Sequence, residues 1–160
     1  MTGTDAALRR PELYGEEYLP AATALTASNA WEPVGLQVTL PEAGVWEVTG
    51  EAHGVINFIA PPGPDTANAA LAYRLFNVTA GAAVPRSQRI AFLFTGDPEV
   101  QRGHHGSPTL HAFIQATGPT VIRMDHFRYV SPAGGTFGVS ETRGGDGLGE
   151  TALRYRRMDV

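Results

Sequence analysis

His104-His105, with Asp97 and Glu99 just upstream, gathers the side chains best suited to holding a metal ion. Imidazole and carboxylate are the right donors, but adjacent histidines point in different directions and no His-x-x-x-His spacing is present. The pair is expected to be solvated or to sit at a subunit contact. His53, His111 and His126 fall on predicted strands, where histidine most often makes surface or interface hydrogen bonds. Asp146-Gly147-Leu148-Gly149-Glu150 has too few oxygen ligands at the positions a calcium loop requires. No Gly-x-Ser-x-Gly is present, so Ser28, Ser87, Ser107, Ser131 and Ser140 sit in no nucleophile elbow. The 16 acidic residues supply many carboxylate pairs without singling out one that faces another across a cleft. Gly134-Gly135 and Gly144-Gly145 lack the following helix that would make a phosphate loop. The expectation is a protein with no catalytic, metal-binding or cofactor-binding residue, and not an enzyme.

The elements that would carry these residues read as strands. From Glu42 to Phe58, even positions hold Trp46, Val48, Gly50, Ala52, Gly54, Ile56 and Phe58, while odd positions include Glu47, Thr49, Glu51, His53 and Asn57. Such alternation describes a long strand with one face in a core. The turn Pro41-Glu42-Ala43-Gly44 folds it back on a strand ending Val38-Thr39-Leu40. Further strands are predicted over Ala22 to Thr26, Val34 to Leu40, Ala69 to Val78, Ala82 to Phe94, Thr109 to Thr117, Thr120 to Val130, Thr136 to Ser140 and Glu150 to Met158. Gly and Pro clusters separate them, including Gln101 to Pro108, which reads as a loop. With no sustained 3.6-residue period, the pattern is that of an all-β sandwich in one domain, residues 21–160, preceded by an arm, residues 1–20. Trp46, Val48, Ile56, Phe58, Leu36, Val38, Leu71 and Leu75 are the predicted core.

Composition narrows the function classes. A net charge of −4 with interspersed signs argues against a nucleic-acid binder, which needs a basic face. Cysteine is absent, which excludes disulfides and thiolate zinc sites. Neither an apolar run of membrane-spanning length nor a signal-peptide pattern is present, so a soluble chain without membrane contact is expected. Every basic residue is arginine, which fits a coding bias better than a functional choice of guanidinium.

Two features point to partners. The arm, limited by Pro11, Gly15 and Pro20 to about two helical turns, still holds Leu8, Leu13, Tyr14, Tyr18 and Leu19. It either folds back on its own domain or docks on a neighbouring protein, and Leu8, Arg9, Arg10, Leu13, Tyr14 and Tyr18 are the docking candidates. Ile90-Ala91-Phe92-Leu93-Phe94 and Thr109-Leu110-His111-Ala112-Phe113-Ile114 are apolar on both faces, so each needs cover on both sides. That cover is either the arm and the Pro-rich loop, or other subunits around a symmetry axis. Phe92, Phe94, His111, Phe113 and Tyr155 are the expected interface residues of such an oligomer.

The segments Leu40-Pro41-Glu42-Ala43-Gly44-Val45-Trp46-Glu47-Val48, Leu71-Ala72-Tyr73-Arg74-Leu75-Phe76-Asn77-Val78-Thr79 and Gly149-Glu150-Thr151-Ala152-Leu153-Arg154-Tyr155-Arg156-Arg157-Met158 together resemble phage virion proteins with a jelly roll of the C1q and tumour-necrosis-factor type. The resemblance spans about Ala22 to Met158. It implies a ten-strand antiparallel jelly-roll β-sandwich (C1q/TNF-like), a homotrimer with the terminal strand near the threefold axis, and a place on the virion surface after assembly in the host cytoplasm. No collagen-like repeat or heptad stalk precedes the domain, which favours a capsid decoration protein bound to the major capsid protein or another virion protein. The alternative is a tail-tip or tail-fibre module binding a receptor or host-surface glycan. Trp31, Trp46 and Tyr73 would be its stacking candidates, of which only Trp31 is off the core parity.

Overall fold

A computed structural model describes residues 13–59, 67–96, 101–131, 136–145 and 150–158. Their regular structure is entirely strand, in antiparallel pairs. In chain order the strands are β1 (Tyr14–Tyr18), β2 (Thr23–Ala24), β3 (Trp31–Leu40), β4 (Gly44–Glu51), β5 (Gly54–Ile59), β6 (Ala67–Asn77), β7 (Ala82–Ala83), β8 (Arg89–Gly96), β9 (Gln101–Gly106), β10 (Thr109–Ala116), β11 (Thr120–Ser131), β12 (Thr136–Thr142) and β13 (Ala152–Arg157).

Three sheets are hydrogen-bonded, but two of them are halves of one layer. The orders β1-β13-β4-β10 and β2-β12-β5-β9 repeat each other, because β1/β2, β12/β13, β4/β5 and β9/β10 are each neighbours along the chain. The second layer is β3-β11-β6, with β7 and β8 both on the free side of β6. Joining the halves leaves eight long strands. The first pairs with the eighth, the second with the seventh, the third with the sixth and the fourth with the fifth. This nested pairing is a hairpin rolled on itself, the jelly roll.

The predicted long strand is thus interrupted at Ala52-His53, and its neighbours show why. Pro108 stands between β9 and β10 in the adjoining strand, and Pro20 stands between β1 and β2; a proline has no N–H for the ladder. Substitute bonds close the gap: Ala52 N donates to Pro108 O (3.2 Å), Leu19 N to Thr151 O (2.9 Å) and His53 N to Thr151 Oγ1 (3.0 Å). The segment Gln101–Gly106, read as a loop from its glycines and histidines, is paired residue for residue with β5.

Between the layers lies one core. Trp46, Val48, Leu71, Leu75, Leu40, Leu110, Ile122, Met124 and Leu153 are fully buried, with Leu36, Val38 and Ile56 nearly so. Every described member of the predicted core is therefore buried; the Phe58 side chain lies outside the described residues. At Gly54 the layers approach so closely that an added Cβ would stand 2.3 Å from Leu71 Cδ2 and 2.4 Å from the Tyr73 hydroxyl.

The arm differs from its sequence reading. Residues Tyr14–Tyr18 are not helical or irregular but an edge strand on β13, and Leu19 is buried in the core. The boundary at residue 20 therefore cuts through the sandwich. The reason is long-range: Arg154 and the open edge of β13 recruit a segment whose local sequence carries no strong strand signal. Removing residues 1–19 is accordingly expected to lower the melting temperature by more than about 5 °C, since it strips an edge strand and a core leucine. Removal of residues 1–12 alone leaves β1 in place. Calorimetry of the two truncations checks this, and equal melting would contradict it.

Candidate interaction surfaces

The outer face of the first layer is built by register. Tyr14, Arg156, Glu47 and Phe113 stand in one cross-strand row, and Glu16, Arg154, Thr49 and His111 in the next. Strict alternation in β10 buries Leu110, Ala112 and Ile114 and turns His111 and Phe113 outward, with Phe113 60% exposed. Their rings meet edge-to-face at 4.9 Å. Tyr14, Tyr18 and Met158 add exposed apolar area around the same face.

The charges here are already matched. Arg154 pairs with Glu16 and with Glu51 (2.9 Å), Arg156 with Glu47, Arg157 with Glu42, and His111 Nε2 lies 2.8 Å from Glu47 Oε1. Bonds from Arg156 and then His111 hold the Glu47 carboxyl below its usual range. Hydrogen bonds from Tyr18, Arg154 and Tyr14 do the same for Glu16, and the Tyr14 and Tyr18 hydroxyls are raised in return, chiefly by that carboxylate. A face whose ions are mutually neutralised loses less on being covered than one of separate charges. A depression of about 290 Å³ opens among Tyr14, Glu47, Thr49, Arg154, Tyr155 and Arg156.

The second layer's outer face is aromatic and aliphatic. Trp31, Phe127, Ala72 and Ile90 form one cross-strand row, and Tyr129, Ala70 and Leu93 the next. A bulge at Ala91 shifts the parity of β8. Ile90 and Leu93 therefore both face out, 61% and 64% exposed, while Phe92 packs against the core. Beyond this patch, Asp125 is fully buried between Arg74 (3.0 Å) and Arg123 (2.7 Å). The Arg74 guanidinium lies 4.3 Å from the Trp31 ring centroid and 5.2 Å from that of Phe76, and Arg123 covers Phe76 at 4.5 Å.

Of the interface residues expected from sequence, His111 and Phe113 share one exposed patch, while Phe92 and Tyr155 turn inward. Tyr155 packs on Trp46, with ring centroids 5.6 Å apart, because β13 continues the parity of β4. Leu8, Arg9 and Arg10 lie outside the described residues, as does the side chain of Phe94. Leu13 packs against the core, and Tyr14 and Tyr18 are exposed. Sequence reasoning missed the Arg154, Arg156 and Glu47 ladder and the pairing of Ile90 with Leu93, both products of registers that only the folded sheet fixes.

The remaining histidines separate by environment. Ser107 Oγ lies 2.9 Å from His53 Nδ1 at the strand interruption, beside His105 and Arg143 around a dimple of about 120 Å³. His126 is fully buried between the layers, its Nδ1 2.8 Å from Thr142 Oγ1, which also meets the Tyr73 hydroxyl at 3.0 Å. Burial raises the Tyr73 hydroxyl far above its ordinary range. No group of three or more metal-ligating side chains occurs among the described residues, and they contain no helix long and apolar enough to cross a membrane.

No family model and no curated protein matches the chain. Among solved structures it is similar to infectious bursal disease virus strain Gx, with 13% identity over 92% of this chain and 38% of that one, TM-score 0.40. It is also similar to the VP2 subviral particle of that virus, with 12% identity over 100% and 42% of the two chains, TM-score 0.41. This chain thus spans about two-fifths of the length of those it matches. At such scores these likenesses assign it neither family nor function.

Proposed function

We propose that this protein is a non-enzymatic structural component of a phage virion, a trimeric jelly roll docked on the particle surface as a capsid decoration protein. The observation that carries the proposal is the pair of opposed outer faces. Each displays large apolar side chains, Phe113 with Tyr14 and Tyr18 on one and Ile90 with Leu93 on the other. A monomer seldom spends such side chains on both sides of a thin sandwich. A protein that must join its own copies and also sit on a foreign surface needs two such faces. The charge-matched first face suits self-association around an axis, because its ion pairs enter the interface already formed. The phage setting and the trimeric state rest on the resemblance of the Trp46, Arg74 and Tyr155 segments.

Carbohydrate recognition by Trp31 fits less well. Its ring lies under the Arg74 guanidinium and against Phe127, 5.0 Å between centroids, so little aromatic face is left for a sugar to stack on.

The test is oligomeric state. A permanent trimer should bury on the order of 2,000 Å² or more in total. Native mass spectrometry should give three copies for the wild type and one for Phe113→Asp. A stable wild-type monomer at micromolar concentration would sink the proposal.

A further inference from the structure

We infer that Arg74 and Arg123, on the outer face of the second layer, form a preformed site for one carboxylate of a neighbouring protein, supplied by an Asp or Glu side chain. The inference goes beyond the virion assignment and does not depend on it.

Charge identifies the site. Arg143, Arg156 and Arg157 each have a carboxylate of this chain as ion-pair partner, and Arg154 has two. Arg74 and Arg123 instead divide the single carboxylate of Asp125, whose side chain is 1% exposed between them. The cluster therefore holds one positive charge more than it neutralises, in a chain whose net charge is −4. Asp125 is fully engaged: Oδ2 accepts from Nε and Nη2 of Arg74 at 3.1 and 3.0 Å, and Oδ1 from Nε of Arg123 at 2.7 Å. Nη1 of Arg74 and both terminal nitrogens of Arg123 make no hydrogen bond among the described residues.

The sheet fixes where these groups stand. Asp125 lies directly opposite Arg74 across the β11–β6 ladder, and Arg123, two residues earlier on the same outward parity, lies opposite Phe76. The two guanidiniums share that ring, Arg74 at 5.2 Å and Arg123 at 4.5 Å from its centroid, as they share the Asp125 carboxylate. Trp31 holds Arg74 from a further side. Groups fixed this way have little freedom left to lose when a ligand arrives. On the β3 side the ladder is irregular between Arg123 and Asp125, and the exposed Pro33 and Gly35 there raise no long side chain beside them. The Arg74 and Arg123 side chains accordingly stay 19% and 30% exposed.

Charge also selects the ligand. A carboxylate accepts paired N–H bonds from a guanidinium fork, and one of them brings two arginines and Asp125 to neutrality. A neutral cluster can be covered in a protein–protein contact, whereas the cluster by itself would carry a net charge out of water. A dianion overshoots the balance, and a cation is repelled. The Trp31 indole, stacked against Arg74, is placed to report what that guanidinium binds.

The experiment is an NMR titration of the full chain, isotope-labelled, with acetate replacing chloride at constant ionic strength, and then with the capped tripeptide Ala-Glu-Ala beside Ala-Gln-Ala. The Nε–H signals of Arg74 and Arg123 and the indole N–H of Trp31 should shift and saturate in the millimolar range with acetate and with the glutamate peptide, and not with the glutamine peptide. The indole of Trp46, fully buried, should stay still. Arg123→Gln, which leaves Arg74 and Asp125 as a balanced pair, should weaken acetate binding about tenfold or more. Arg123→Lys keeps the charge but not the planar fork; it should fall between the two, and it serves if the glutamine variant is too unstable to read. Shifts that never saturate, an equal response to both peptides, or undiminished binding by Arg123→Gln or Arg123→Lys overturns the inference. Oligomeric state does not enter this readout, so its failure leaves the virion assignment standing, and a monomeric wild type leaves the site standing.

Discussion

Trp46→Ala is expected to lower the unfolding free energy by about 3–5 kcal/mol. The indole is fully buried at the centre of the first layer, on the inward parity of β4 between β13 and β10. Three separate contacts vanish with it. Its area against the opposite layer is lost, as is the edge contact with Tyr155, and so is the bond from Nε1 to Glu42 O at 3.2 Å, which ties the ring to the β3–β4 turn. Collapse around the vacancy is restricted because Gly50, four residues along on the same face, already sits against Met124, Leu153 and Leu110. Glu47→Ala, one position away on the outer face, should cost no more than about 1 kcal/mol, since its ion pairs are surface pairs. Denaturant unfolding of the two variants checks the contrast. Equal losses would mean that the register of β4 is wrong by one residue and that every outward residue assigned from it faces the core.

The same parity explains how much was legible beforehand. Where one strand alternates without interruption, as in β4 and β10, position alone separates Trp46 from Glu47 and Ile114 from Phe113, and both assignments hold. Where a bulge intervenes, alternation misleads. Ala91 shifts β8 so that Phe92 enters the core and Leu93 leaves it, and no local residue announces that shift. The break at Ala52-His53 is likewise written in a different strand, at Pro108, and becomes visible only when the two are paired. β1 has an open β13 edge as its main reason to be a strand, a contact 138 residues away between Glu16 and Arg154. Period and turn chemistry are properties of a segment, whereas bulges, edges and cross-strand ion ladders are properties of pairs of segments. The first kind can be read from sequence; the outer faces that carry the proposed function belong to the second.

Acidification should expose a titratable group that the core holds in the wrong charge state for acid. His126 lies fully buried opposite Tyr73 and Glu32, with Nδ1 on Thr142 and no hydrogen-bond partner for Nε2. Burial pulls its pKa down from 6.5 to about 4; the nearby Glu32 and Asp125 carboxylates oppose the shift, and the Arg128 guanidinium adds to it. In the unfolded chain the same imidazole takes up its proton near 6.5, so between 6.5 and about 4 the unfolded state binds more protons than the folded one. Stability is therefore full above that window and falls as the pH drops through it, by about 3 kcal/mol at the lower end, then levels off as far as this group is concerned. Carboxylates such as Glu47, held below 4.5 chiefly by Arg156, and Glu16, held below it chiefly by Tyr18, lose their own contribution at lower pH. They leave the upper part of the window to His126. The measurement is the unfolding free energy of the wild type and of His126→Gln between pH 7 and pH 4. Glutamine fills a similar volume and does not titrate, so the variant should begin lower at pH 7 and converge on the wild type near pH 4. Parallel curves would show that His126 is not the group that senses the acid.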